Sequence, residues 1–162
     1  MALHFSKQEF HSRKLATLKS MKEQKLDALL MFRQESMFWL TGYDTFGYVF
    51  FQTLILDNKG NIILLTRAPD LRQAQNTSNI EDIRIWVDKD QSNPTDDLKI
   101  ILNELNLKGK KIGIEYEAYG MTGRNALRLN KSLEGYCEAE DQSELITKHR
   151  VIKSTEEIVY VK

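Results

Sequence analysis

Side chains able to make or break bonds are scattered through this sequence rather than gathered. The histidines, His4, His11 and His149, stand far apart, and no His-Glu-x-x-His pair occurs to set two metal ligands on one helical face. Cys137 is the only cysteine, which excludes both a cysteine-cluster metal site and an intrachain disulfide. In its apolar setting after Gly135 it reads as a buried, inert thiol. The adjacent carboxylates Glu81-Asp82, Asp96-Asp97 and Glu156-Glu157 fall at predicted loop ends and helix starts, where acidic groups meet unpaired backbone N–H groups. Arg67 and Asp70 flank Pro69 at the end of a predicted strand, where a ligand-facing loop is an alternative, and read as an exposed ion pair or helix-start charges rather than site residues. Neither a Gly-x-Ser-x-Gly nucleophile turn nor a glycine-rich phosphate loop is present. No catalytic residue and no metal ligand is assigned to the chain.

What remains is an aromatic segment, residues 38–51, in which Trp39, Tyr43, Phe46, Tyr48, Phe50 and Phe51 surround Gly42, Asp44 and Gly47. Aromatic rings bury large areas and serve as core; glycines and an aspartate in their midst mark a surface loop with rings near solvent. Both readings stand at this level.

The elements that must position this segment follow from periodicity. Ser6-Lys7-Gln8-Glu9 is a capping box, with Phe10, Leu15, Leu18 and Met21 on the inward face of the helix it opens. The apolar run 27–32 predicts a central parallel strand buried on both faces. A helical turn over 36–40 ends at Gly42. Residues 48–56 and 62–66, joined by the turn formers of 57–61, predict a hairpin. Beyond it, helices over 69–75, 94–105 and 122–133 alternate with strands over 83–87 and 112–114 and a short extended piece near 136–139. The pattern is a mixed α/β sheet with helices on its faces. A second capping box, Ser154-Thr155-Glu156-Glu157, opens an apolar helix of only about two turns, too short to be stable alone, so the natural protein is expected to continue past Lys162.

Composition narrows the class. The chain has 162 residues, with 41% apolar and 28% charged side chains, the balance of one packed domain. Lys plus Arg and Asp plus Glu number 23 each, which provides no charge excess for a nucleic-acid backbone. No apolar stretch resembles a signal peptide or a membrane span, and the reading is a cytoplasmic domain with neither nucleic acid nor membrane as partner.

Four segments stand in order: residues 21–30 (Met-Lys-Glu-Gln-Lys-Leu-Asp-Ala-Leu-Leu), 37–43 (Met-Phe-Trp-Leu-Thr-Gly-Tyr), 109–115 (Gly-Lys-Lys-Ile-Gly-Ile-Glu) and 146–157, with Arg150, Ile152-Lys153-Ser154 and Glu156-Glu157. Together they resemble the N-terminal domain of the creatinase and Xaa-Pro dipeptidase (prolidase) superfamily, the pita-bread metallohydrolases. The resemblance implies a three-layer α/β domain with a mixed, mostly parallel sheet of ribonuclease-H-like topology over 1–145. It implies that 146–162 begin a linker helix to a C-terminal catalytic domain. That domain would hold the family's two Asp, one His and two Glu ligands and a divalent Mn, Co or Zn ion. The implied partners are this catalytic domain, a second copy in a homodimer, and a dipeptide or small-molecule substrate.

In creatinases an aromatic and an arginine on the strand after the Thr/Ser-Gly turn reach the neighbouring subunit's substrate. Counted from Gly42 these positions are Tyr48 and Phe50, so the arginine is missing and an anionic guanidino-acid substrate is not favoured. The run Trp39 to Asp44, with Gln52 beyond it, is similar to ectoine-hydrolase-like members, which cleave a cyclic amidine. The resemblance thus places Tyr43, Asp44, Tyr48 and Phe50 at a substrate rim; the alternative for Tyr48 is that it packs the hairpin. The alternative for the whole chain is a stand-alone dimerising or ligand-binding module.

Overall fold

The computed structural model describes residues 3–161; the expected continuation past Lys162 lies outside them. Helix α1 (Lys7–Glu23) starts where the sequence predicts, with the Ser6 side chain accepting from the Glu9 N–H. The capping box is only half formed, because the Glu9 carboxylate accepts from Arg13 Nε and the Ser6 N–H goes to Glu156 instead. The inward face also departs from expectation. Leu15 is 51% exposed, while Arg13 and Thr17 are buried beside Phe10 and Met21. The helical period from Phe10 runs through 13, 17 and 21, and polar side chains take two of these places because partners satisfy them there.

Strand β1 (Ala28–Met31) is wholly buried, as its apolar run requires. Helix α2 (Gln34–Thr41) ends at Gly42, whose φ of +80° is the left-handed conformation that closes a helix. Strands β2 (Thr53–Asp57) and β3 (Ile62–Arg67) form the hairpin, its turn held by Asp57 accepting from the Lys59 and Asn61 N–H groups. A short 3₁₀ turn leads into α3 (Leu71–Thr77), then β4 (Asp82–Trp86), α4 (Pro94–Glu104), β5 (Lys111–Ile114), α5 (Gly123–Leu133) and β6 (Glu138–Asp141). Helix α6 (Leu145–Val151) falls at the start of the linker implied over 146–162 but is not legible from periodicity: at seven residues it shows under two turns, and it is held by docking Leu145 and Ile146. Helix α7 (Thr155–Val161) opens on a complete capping box, Ser154 and Glu157 each accepting the other's backbone N–H.

The sheet order is β4-β3-β2-β1-β5-β6. Strand β2 pairs antiparallel with both neighbours and every other pairing is parallel, so β2 alone is reversed in a mixed, mostly parallel sheet. The central strand β1 is accordingly parallel on one side only, a correction to its reading as a parallel strand.

Alternation along the strands divides the core into two layers. Ala28, Leu30, Ile55, Ile63 and Leu65 meet α4 and α5 through Leu98, Ile101, Leu102, Leu129 and Leu133. On the other face Leu29, Met31, Leu54, Leu56 and Leu64 meet Met21, Met37, Leu40, Ala74, Leu145 and Ile146 from α1, α2, α3 and α6. The result is the expected three-layer α/β architecture. Among the described residues no helix is long and apolar enough to cross a membrane.

The main difference from the sequence reading lies at residues 48–52. Strand β2 begins at Thr53, and Gly47–Val49 form a 3₁₀ turn closed by the Phe50 N–H on the Gly47 carbonyl. Other partners claim this backbone. A Cβ on Gly120 would stand 2.3 Å from the Phe50 carbonyl oxygen, so the loop after β5 fills the space a longer strand would need.

Candidate functional site

The ends of β1, β3 and β5 point the same way, and the loops that follow them converge with the 44–52 segment at the carboxyl edge of the sheet, where open α/β folds place ligand-facing groups. The aromatic segment divides there into core and surface. Phe51 is buried against Phe32, ring centroids 5.3 Å apart, and its carbonyl accepts from the Trp86 indole. Phe46 is 87% exposed, Tyr48 and Phe50 are each 42% exposed, and Tyr48 meets the 74% exposed Tyr119 edge to face at 5.7 Å. Both readings of the segment are realised, each by different rings.

Of the four expected rim residues, Tyr48 and Phe50 lie on this surface, whereas Asp44 is exposed but borders a cleft lined by Arg13, Trp39 and Arg150. The two rings sit on the 3₁₀ turn and the loop rather than on the hairpin strand. Tyr43 is elsewhere. It is fully buried, its hydroxyl donating to Gln52 Oε1 at 2.6 Å beside Thr66 Oγ1, which donates to the same oxygen at 2.9 Å. Burial pushes the Tyr43 phenol above its ordinary range, so it stays a neutral donor. Its ring lies in the core of this domain, apart from the exposed rings of Tyr48 and Phe50.

A buried polar set stiffens the rim. Asp70 accepts from Thr45 Oγ1 at 2.9 Å and from Arg67 Nε at 3.1 Å, and Thr45 Oγ1 accepts from the Gly47 N–H at 2.9 Å. The Arg67 guanidinium also lies 3.5 Å from the Phe50 ring centroid, a cation–π contact. The expected ion pair is therefore present, but the buried Asp70 makes it a support for the loop rather than a solvated surface pair. An arginine does stand beside the aromatic, supplied by β3 from fifteen or more positions downstream of Tyr48 and Phe50, which is why spacing along one strand did not reveal it. Buried beneath this loop, Gln52 Nε2 and Thr53 Oγ1 have no hydrogen-bond partner among the described residues.

A second buried carboxylate positions α2. Glu115, at the end of β5, is fully buried and accepts from the Phe32 and Arg33 N–H groups at 3.1 and 3.0 Å and from Ser36 Oγ at 2.6 Å. It caps a helix whose own N-cap residue, Arg33, offers no side-chain cap. Burial pushes its pKa up to about 7, against the pull of those donors. Glu115 closes the third resembling segment, yet nothing in the linear sequence says that it meets Phe32 and Arg33.

The arrangement can bind and orient; it holds no nucleophile and base in contact. Burial raises the Cys137 thiol, which keeps it protonated. Among the described residues no group of three His, Cys, Asp or Glu side chains is placed to hold a metal ion.

Comparison with known proteins agrees with this geometry. The family model of the creatinase/prolidase N-terminal domain matches residues 13–152, and the chain belongs to that family. It is similar to an uncharacterised hydrolase/peptidase, y4tM, of Sinorhizobium fredii, 28% identical over 167 residues, covering 99% of this chain and 42% of the relative. It is also similar to the ectoine hydrolase of Halomonas elongata, 25% identical over 169 residues and again 42% of the relative. The chain thus spans about two fifths of the curated relatives it matches. Among solved structures the fold is that of a recombinant prolidase from Thermococcus sibiricus, with TM-score 0.75, 18% identity, and coverage of 93% of this chain and 39% of that one. A proline dipeptidase chain from Streptococcus pneumoniae aligns over 86% of this chain and 98% of its own, with TM-score 0.70 and 20% identity.

Proposed function

We propose that this domain is the non-catalytic N-terminal part of a cytoplasmic, metal-dependent hydrolase of C–N bonds, of the Xaa-Pro dipeptidase or creatinase type. In this reading it assists homodimerisation and lends its aromatic rim to the mouth of the partner subunit's active site. The observation that carries it is the exposed pair Tyr48 and Phe50, held stiff by Asp70 and Arg67, on a family domain that spans two fifths of its relatives. Rings fixed in this way offer binding area at little entropic cost. A divalent metal in the C-terminal domain would supply an activated water. The rim's own work is to pack against a proline-like or cyclic amidine ring, with the Tyr48 hydroxyl available as a hydrogen-bond donor.

The test uses the whole protein assayed on Xaa-Pro dipeptides and on ectoine with added manganese. Metal-dependent cleavage is expected, with Tyr48→Ala raising KM about tenfold, the loss of one buried aromatic contact, while kcat changes little. The 162-residue chain alone should give no turnover. Cleavage by that chain, or a Tyr48→Ala enzyme with unaltered KM, would sink the reading.

A further inference from the structure

Arg13 stands where three helices meet. It is 4% exposed, its guanidinium 4.1 Å from the Phe5 ring centroid, 5.2 Å from that of Trp39 and 5.6 Å from that of Phe10. Each nitrogen of the fork serves a different element. Nε donates to Glu9 of α1 at 2.9 Å, Nη1 donates to the Trp39 carbonyl of α2 at 2.7 Å, and Nη2 lies 3.4 Å from Glu157 Oε1 of α7. The last contact is an ion pair rather than a well-directed hydrogen bond, and Nη2 has no other partner among the described residues.

The Trp39 carbonyl is one of the four at the end of α2 that have no partner within the helix. The last turn of α2 carries no basic residue of its own, so Arg13 supplies both the donor and the positive charge that a helix C-terminus favours. Gly42, Tyr43, Asp44 and Thr45 follow directly, and Thr45 anchors the rim through Asp70.

At its other end Arg13 faces a helix held mainly by polar contacts. No residue of α7 is fully buried. It is fastened by Glu156, which accepts from Ser6 Oγ at 2.6 Å and from the Ser6 N–H at 3.0 Å, by Glu157 on Arg13, and by the Tyr160 hydroxyl on the His4 carbonyl at 2.6 Å. A helix with so little buried apolar surface among the described residues can open at low free-energy cost. When it leaves, Nη2 loses its only partner, and a guanidinium buried among rings is drawn toward the remaining charge on Glu9 and away from the Trp39 carbonyl.

We propose that Arg13 is a positioning residue that couples the seating of α7 to the last turn of α2 and so to the aromatic rim. Its functional meaning rests on the rim being the binding surface argued above, but the coupling itself is a property of this chain. The test is amide hydrogen exchange followed by mass spectrometry on Glu157→Gln, Arg13→Met and the double variant, with folding checked by far-UV circular dichroism.

Glu157→Gln should raise exchange about fivefold at α7 and also at residues 40–47, since a lost charge-assisted contact loosens every segment that depends on it. In the Arg13→Met background the same change should add nothing at 40–47, the signature of coupling through the deleted side chain. If Arg13→Met does not fold, Arg13→Lys, which keeps the charge but lacks the fork, replaces it with the same expectation. A rise confined to α7, or an equal rise at 40–47 in both backgrounds, would overturn the coupling whatever the rim binds.

Discussion

Arg67 meets Phe50 with its guanidinium carbon 3.5 Å from the ring centroid, and the same guanidinium closes on the buried carboxylate of Asp70. One side chain therefore holds a half-exposed ring on one side and a buried anion on the other, which fixes the ring without hiding it. Asp70→Ala would leave the Arg67 guanidinium without its carboxylate and Thr45 Oγ1 with only Gln73 Oε1 to donate to, and is expected to cost about 2–4 kcal/mol of stability. Phe50→Ala, which removes only the exposed cation–π partner, should cost about 1 kcal/mol beyond its modest burial. Urea unfolding midpoints separate the two; an Asp70→Ala cost no larger than that of Phe50→Ala would contradict this account of the loop.

Gly120 makes its own demand. A methyl group there would stand 2.3 Å from the Phe50 carbonyl oxygen, which is backbone and cannot swing aside. Gly120→Ala is expected to cost about 1–3 kcal/mol, or roughly 2–10 °C in Tm for a domain of this size. The lost protection in hydrogen exchange should centre on 47–51 rather than on the sheet.

Glu115, fully buried, and His149, half-buried, give stability opposing dependences on pH. The Glu115 carboxyl, raised by burial to about 7 from 4.5, keeps its proton in the folded state where the unfolded chain has released it. Folded protein binds more protons between about pH 4.5 and 7, so this contribution declines as pH rises through that window. The His149 imidazole is lowered from 6.5 by burial, where it stacks on Trp39 at 5.9 Å and contacts Ser20 Oγ. Here the folded state binds fewer protons, and the contribution is lost as pH falls below 6.5. Stability measured from pH 5 to 8 should decline in the natural chain, because the Glu115 shift is the large one. Glu115→Gln should expose a rise with pH and His149→Gln a steeper decline; the same profile in both variants would refute the assignment.

The Tyr43 hydroxyl should matter to the fold and not to a ligand. Tyr43→Phe removes one of two donors to Gln52 Oε1 and is expected to cost about 1–2 kcal/mol while leaving any ligand affinity of the rim unchanged. A changed KM in the whole protein without lost stability would return Tyr43 to the binding surface.

Much of this was legible in the chain because local rules agreed with the fold. The apolar run of β1, the turn formers at 57–60, the left-handed Gly42 and the inward Leu98, Ile101 and Leu102 each satisfy a local preference and a tertiary one together. The misses have a common cause. Leu15 looked inward by type but lies off the 10-13-17-21 stripe, and Arg13 entered that stripe because Glu9, Trp39 and Glu157 were there to satisfy it. The extended reading of 48–52 failed because Gly120, some seventy residues away, occupies the space. For the site, the exposed rings were visible as a pattern, whereas Arg67 beneath Phe50 and Glu115 under α2 are contacts between distant segments that no spacing rule reports.

The hydrogen bonds from Ser6 to Glu156 span 150 positions of sequence and bring the first and last helices among the described residues side by side. A fold closed in this way is a ring with a single nick, and the nick can be moved. Joining the two ends by a short Gly/Ser bridge and reopening the chain at the exposed Asn58-Lys59 tip of the hairpin should give a circularly permuted protein with the same sheet. Its aromatic edge would then stand far from either terminus, free to carry a fused reporter without obstructing the rings.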